Sequence, residues 1–176
     1  MLFGQPIRQI AYYVEDIRQA AERHHKLFGS GPFFLLEDLR LTVNYRGREL
    51  EIGHSAAFGQ WGDVQVELMQ WFTGPPSVIH DLYPQGSGRY GLHHVAVIAD
   101  DLDAAIADMS SLGLHEAMRS SLPAWDMTVV MIDAIDTYGH FIEIYQSVPS
   151  LVEFYDMVER AAEDFKGDNL LRKMEL

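Results

Sequence analysis

The chain has 176 residues, 48% of them apolar and 11% aromatic, enough for one compact unit or for two small modules sharing a core. Thirteen Lys and Arg against 26 Asp and Glu give a net charge of −13, which repels a polyphosphate backbone and excludes nucleic acid as an expected partner. The absence of Cys excludes disulfides, a thiolate nucleophile and Cys-type zinc sites, so any metal must be held by His, carboxylate or amide. No apolar run reaches the roughly 20 residues of a bilayer span, and MLFGQPIRQI lacks a basic start followed by a long apolar stretch. A cytoplasmic protein with no membrane partner is expected, with a homodimer as its assembly.

Residues 7–14 alternate as a strand, and Asp16 opens a helical pattern with Ile17, Ala20, Ala21, His24, Leu27 and Phe28 on one face, stopped by Gly29, Gly31 and Pro32. Extended stretches follow at 33–45, 49–58 and 64–71, punctuated by Arg46-Gly47-Arg48 and by residues 59–63. A Gly-, Pro- and Ser-rich connector then spans 73–90.

The order begins again with a strand at 93–99. Asp101 caps a helix with Leu102, Ala105, Ile106, Met109 and Leu112 inward, and Gly113 stops it. Weaker strands at 114–121 and 127–134 lead to a firm one at 140–146. From Ser147 a separate helix is expected, with Pro149 in its first turn, a capping box of Ser150 and Glu153, and Leu151, Phe154, Tyr155, Val158 and Phe165 on its apolar stripe up to Gly167. The expected organisation is a first βαβββ module at 1–72, the connector at 73–90, a second module at 91–147, and a helix and tail at 148–176.

Laying one half on the other exposes a repeat. A shift of 85 places Gln9 on His94, Ala11 on Ala96 and Asp16 on Asp101, and a shift of 76 places VQVELMQ on HFIEIYQ, with Glu67 on Glu143. Strand parity then sorts the faces. If Val95, Val97, Ile142 and Ile144 rest on helices, His94 and Glu143 face the other way, and Gln9 and Glu67 do so in the first half. Four polar groups thus occupy equivalent positions on one face of a doubled sheet. Burying an isolated carboxylate there is costly, and a shared metal ion would remove the cost.

The duplicated βαβββ pattern, the segments GLHH and HVAVIADDLDAA, and the strand ends ELMQ and EIYQ resemble the vicinal oxygen chelate superfamily, the glyoxalase, bleomycin-resistance and extradiol-dioxygenase group. The likeness runs from about Pro6 to Gln146. It implies an α+β fold in which tandem βαβββ modules curl into a cup-shaped mixed sheet, here with an extra C-terminal helix. Inside the cup one divalent ion (Zn, Ni, Co or Mn) would be held by Gln9, Glu67, His94 and Glu143, and His93 would face away.

The resemblance also implies chemistry, namely removal of a proton next to a metal-bound carbonyl by a carboxylate, giving an isomerase, epimerase or lyase acting on a small carbonyl compound. Glu143 is one candidate base. Another is Glu51 in ELEIG, where Leu50 and Ile52 on the helix side would turn Glu49 and Glu51 toward the cup; a solvated edge-strand acid is the other reading of Glu51. Glutathione-dependent glyoxalase I carries an Arg and an Asn where this chain has Tyr13 and Trp71. Extradiol dioxygenases begin with a His where this chain has Gln9. The methylmalonyl-CoA epimerase type fits better, although no basic cluster suits a CoA phosphate. Tyr13, Trp71, Phe141 and Tyr145 are expected to line the cup.

The alternative is a metal-free binding protein of the bleomycin-resistance type, which sequesters a cationic drug and agrees with the acidic charge. Among the other histidines, one of His24 and His25 is expected to pack and one to be solvated. His54 is read as structural, His80 and His115 as loop residues, and His140 as facing the helices.

Overall fold

The computed structural model describes residues 4–175. The first half contains β1 (Gln9–Tyr13), α1 (Ile17–Phe28), β2 (Phe33–Tyr45), β3 (Arg48–Trp61) and β4 (Val64–Trp71). A short α2 (Val78–Leu82) follows. The second half contains β5 (Gly91–Ala99), α3 (Leu102–Ser111), β6 (Glu116–Leu122), β7 (Met127–Ile132), the one-turn α4 (Ile135–Tyr138) and β8 (Phe141–Gln146). Helix α5 (Pro149–Ala162) and strand β9 (Leu171–Lys173) end the chain.

Both halves pair their strands alike. β1 runs parallel to β4, then β4, β3 and β2 are antiparallel neighbours. Correspondingly β5 runs parallel to β8, then β8, β7 and β6. The halves join where β1 meets β5, and again through a short β2–β6 pairing from Val43↔Ser120 to Tyr45↔Met118. With β2 also paired to β3, eight strands close into a ring and β9 adds to β2. The fold is α+β with a strongly curved mixed sheet, and the cup forms within one chain.

Local chemistry explains the element ends. Asp16 caps α1 by accepting from the Arg18 and Gln19 amides, and Gly29 closes it at φ 70°, a left-handed conformation that costs a Cβ-bearing residue more. Asp101 caps α3 through the Ala104 amide. Arg46 and Gly47, both at positive φ, form the two-residue turn of the β2–β3 hairpin, whose backbone twist matches its strands.

Several expectations shift. The connector is not wholly irregular: Ser77 caps α2 by accepting from the His80 amide. Leu112 lies past the end of α3 and is exposed, and Leu27 sits at the edge of its stripe and is exposed. The capping box of α5 does not form, because Pro149 takes the first helical position and Val148 the cap. Ser150 then lies inside the first turn and donates its hydroxyl to the Trp125 carbonyl. The helix ends at Ala162, leaving Phe165 beyond it against the His25 ring.

Packing assigns the faces. On the outside of the ring, Ile17 and Ala21 of α1 cover Val66, Leu68 and Ala57, while Leu102 and Ala105 of α3 cover Val97, Val130 and Ile144. The inside is closed from two sides. Val78 of α2 packs on Met131 and Phe141, and Ile79 on Ala11 and Met69. Leu151, Phe154, Tyr155 and Val158 of α5 pack on Ala96, Met127, Val129 and Tyr145. Along β8, Phe141 therefore meets the α2 plug and Tyr145 the α5 plug, with Glu143 between them. A cavity of about 110 Å³ lies between the plugs. No helix of the described residues is long and apolar enough to cross a membrane.

Candidate metal centre

The four strands β4, β1, β5 and β8 are consecutive in the sheet, and each carries one of the four candidate donors. Registry sets these residues in two rows. Ala11 of β1 stands between Glu67 of β4 and His94 of β5, and Ala96 of β5 stands between Gln9 of β1 and Glu143 of β8. Strands lie about 4.8 Å apart, so each pair of donors straddles two strand spacings and converges over a methyl group. Ala11 and Ala96 are fully buried and correspond under the shift of 85. A larger side chain at either place would fill the space where the donors meet.

Ligating atoms of Glu67, His94 and Glu143 all lie within 4.8 Å of one another. His94 Nε2 is 3.0 Å from Glu143 Oε2 and 3.5 Å from Glu67 Oε2. Although close, His94 Nε2 and Glu143 Oε2 miss hydrogen-bond alignment and are left without partners. Close but unaligned lone-pair donors are what a common third atom requires. Gln9 Nε2 donates to Gln65 Oε1 at 2.6 Å, which leaves the Gln9 carbonyl oxygen for the cavity, 3.5 Å from the Tyr145 hydroxyl. One nitrogen and three oxygen donors can hold a divalent ion, and two carboxylates would balance its charge.

The electrostatics follow from burial. Burial disfavours the His94 imidazolium, but Glu143 and Glu67 overcome that and lift its pKa to about 10. Burial raises the Glu67 carboxyl, with His94 pulling it back. Burial, then the Glu143 charge, pushes the Tyr145 phenol well above its ordinary value. His93 is held well below the usual imidazole range by burial and by the neighbouring His94.

His93 does not face away. Ala11 pairs with His94 and Tyr12 with Leu92, so His93 is an extra residue, a β-bulge that turns two consecutive side chains inward. The two Nδ1 atoms lie 2.9 Å apart, within hydrogen-bond distance, and a His94 that offered Nε2 to a metal ion would donate its Nδ1–H to His93. That contact orients His94 Nε2 toward the carboxylates.

Residues 8–129 match the family described as the Glyoxalase/Bleomycin resistance protein/Dioxygenase superfamily. The chain belongs to this superfamily. No curated protein matches the chain as a whole. Among solved structures, methylmalonyl-CoA epimerase from Mycobacterium tuberculosis is similar at 19% identity, covering 84% of this chain and 91% of that one with a TM-score of 0.56. A hypothetical protein from Bacillus halodurans is similar at 19% identity, covering 82% and 96% with a TM-score of 0.55. Streptomyces coelicolor methylmalonyl-CoA epimerase in complex with 2-nitronate-propionyl-CoA is similar at 15% identity, covering 82% and 98% with a TM-score of 0.52. At these identities the likeness is one of fold.

This superfamily member brings Gln9, Glu67, His94 and Glu143 to one cavity but leaves Glu51 out of it. Ile52 and His54 face the cavity, and Leu50 packs with Ile52, so Glu49 and Glu51 lie exposed on the outer face. The reason is coverage. Helix α1 reaches Ala57 but not the far half of the β2–β3 hairpin, where the apolar side is the interior. His54 correspondingly faces inward with Ile52. It lines the cavity, stacks on Trp71 with ring centroids 5.1 Å apart, and is lowered to about 4 by burial, against the pull of Glu143. Trp71, Phe141 and Tyr145 are interior as expected, whereas Tyr13 packs on the Ala11, Met69 and Ile79 cluster and against the Tyr83 and Tyr90 rings without lining the cavity. Two residues were missed: Gln65, which shares the Glu67 face at period two, and His93.

His24 packs, bonding Ser30 Oγ at 2.6 Å, and His25 is half-buried against Phe165. His80 bonds the Ser77 hydroxyl, His115 is exposed, and His140 donates to the Phe141 carbonyl.

Proposed function

We propose that this chain is an isomerase, epimerase or lyase that moves a proton next to the carbonyl of a small compound, with Gln9, Glu67, His94 and Glu143 holding one divalent ion. The observation that carries the reading is the buried Glu67–His94–Glu143 cluster, with ligating atoms within 4.8 Å, set in a largely apolar cavity. The superfamily assignment and the epimerase fold neighbours support the reaction class.

A divalent ion bound there supplies Lewis acidity that stabilises negative charge developing on a carbonyl oxygen. The chain's own residues do the rest. Glu143 would take the C–H proton on a carboxylate oxygen that the ion does not engage, as an electron pair moves toward the carbonyl. Returning the proton to the same carbon from the other side epimerises it, and returning it to a neighbouring atom isomerises the compound. His93 and Gln65 keep His94 and Gln9 in one orientation each. The plugs α2 and α5 keep bulk water from the enolate.

The test is exchange of the α-hydrogens of small ketones and hydroxyketones in D₂O, followed by NMR with Ni²⁺-supplemented protein. Enzyme-dependent exchange is expected, falling by about 10²- to 10⁴-fold in Glu143→Gln. Undiminished exchange in that variant removes Glu143 from the role.

A further inference from the structure

The ring of strands is sealed unevenly. On the edge of β2 away from β3, residues 33–35 pair with β9 and residues 43–45 pair with β6, so the stretch 36–42 has no described strand beside it there. Continuing the Val43↔Ser120 register would set Leu41 opposite Leu122, but the two strands part before they reach it. Leu39, Leu41, Leu122 and Trp125 border this parting, line the cavity and keep partial exposure. Phe58 and Trp71 are the other lining residues that do so, and the rest are buried. Solvent thus comes nearest to the cavity where β2 and β6 separate.

The elements that close the cavity are held unequally. Helix α2 buries Val78 and Ile79, and its Asp81 accepts from the Tyr45 hydroxyl at 2.8 Å and from Arg46 at 2.9 Å. Helix α5 buries Leu151, Phe154, Tyr155 and Val158. By contrast the β6–β7 turn, a single 3-10 turn at Pro123–Trp125, buries no residue and has no side-chain cap. Two contacts tie it to α5: the Trp125 ring lies 5.1 Å from the Phe154 ring, centroid to centroid, and the Trp125 carbonyl accepts from the Ser150 hydroxyl at 2.9 Å. Moving either helix would carry buried apolar side chains into water, whereas moving the turn would not. Local openings are drawn from segments of this weakly buried kind.

We propose that the turn at 123–126 is the door of the cavity, hinged at the last β6–β7 rung, Leu122↔Met127, and latched by Ser150 in the first turn of α5. When the turn swings out, Trp125 leaves the cavity wall and the cavity joins the apolar gap between Leu41 and Leu122. A ligand then enters without displacing α2 or α5. The door is independent of the metal and of the proton-transfer reading, since any occupant of the cavity must pass it.

Because the chain has no Cys, a thiol introduced on the cavity wall is unique. Val129→Cys, and separately Met131→Cys beside Glu143, are labelled with methyl methanethiosulfonate in metal-free protein and followed by mass spectrometry at urea concentrations below the unfolding transition. The labelling rate should depend little on urea, because opening the door exposes little surface. Ser150→Ala should raise it about two- to tenfold, the worth of one net hydrogen bond, and Leu41→Trp, which fills the gap, should lower it. Asp81→Asn, which loosens α2, and Val158→Ala, which loosens α5 without lining the cavity, should leave it unchanged. A rate that climbs steeply with urea, or that either helix variant raises, places entry at a helix and overturns the proposal. So does a rate that neither Ser150→Ala nor Leu41→Trp alters, or the absence of labelling at both thiols below the transition.

Discussion

At the scale of the residue, the cluster is a problem of buried charge solved by neighbours. Glu67 and Glu143 stay buried because His94 stands between them, and the cost is a pH dependence of the metal-free protein. The His94 pKa is raised in the folded state from 6.5 to about 10, so its stabilising contribution is fully present below 6.5 and is lost as pH rises through about 10. His54 behaves oppositely. Its pKa is lowered from 6.5 to about 4, so its neutral form supports the fold above 6.5 and that support is lost as pH falls through about 4. Urea midpoints of chelator-treated protein should therefore decline on both sides of about pH 6.5, and His54→Leu should lessen the acid limb, to which the lowered His93 also contributes, without changing the alkaline one. An acid limb unchanged in that variant contradicts the assignment. The residues most legible in the sequence were Gln9, Glu67, His94 and Glu143, because a period-two parity and an internal repeat agreed on them. His93 was illegible because a bulge breaks that parity, and no local residue type announces it.

At the scale of the element, propensity and caps were readable where a side chain carries the signal by itself, as Asp16, Asp101 and Gly29 do. Reading failed where coverage decides. Which side of Leu50 and Ile52 is buried depends on how far α1 extends over β3, which is a tertiary fact, and the inversion carried Glu51 out of the site. The last helix shows the same limit. Its stripe was visible, but not that Leu151, Phe154 and Tyr155 form part of the cavity wall. Because Leu151 is fully buried there, Leu151→Ala should cost about 2–5 kcal/mol, a fall in Tm of several degrees by calorimetry. A shift under about one degree would show that α5 is not integral to the core.

At the scale of the whole molecule, the duplicated βαβββ order, the curved mixed sheet and the superfamily were all recoverable, since each half repeats the same pattern of periods and breaks. Closure of the ring was not, because the β2–β6 pairing spans only three residue pairs with no distinctive composition. Closure within one chain brings all four candidate donors onto adjacent strands of one sheet. The net charge of −13 adds attraction for cations at long range. The most direct measurement is elemental analysis of purified protein after incubation with Zn²⁺, Ni²⁺, Co²⁺ or Mn²⁺, alongside His94→Ala and Glu143→Ala. The account predicts about one ion per chain in the parent protein, lost in both variants, with a Tm that rises when the ion is added. No bound ion under any of these conditions, or an ion retained in both variants, would contradict it.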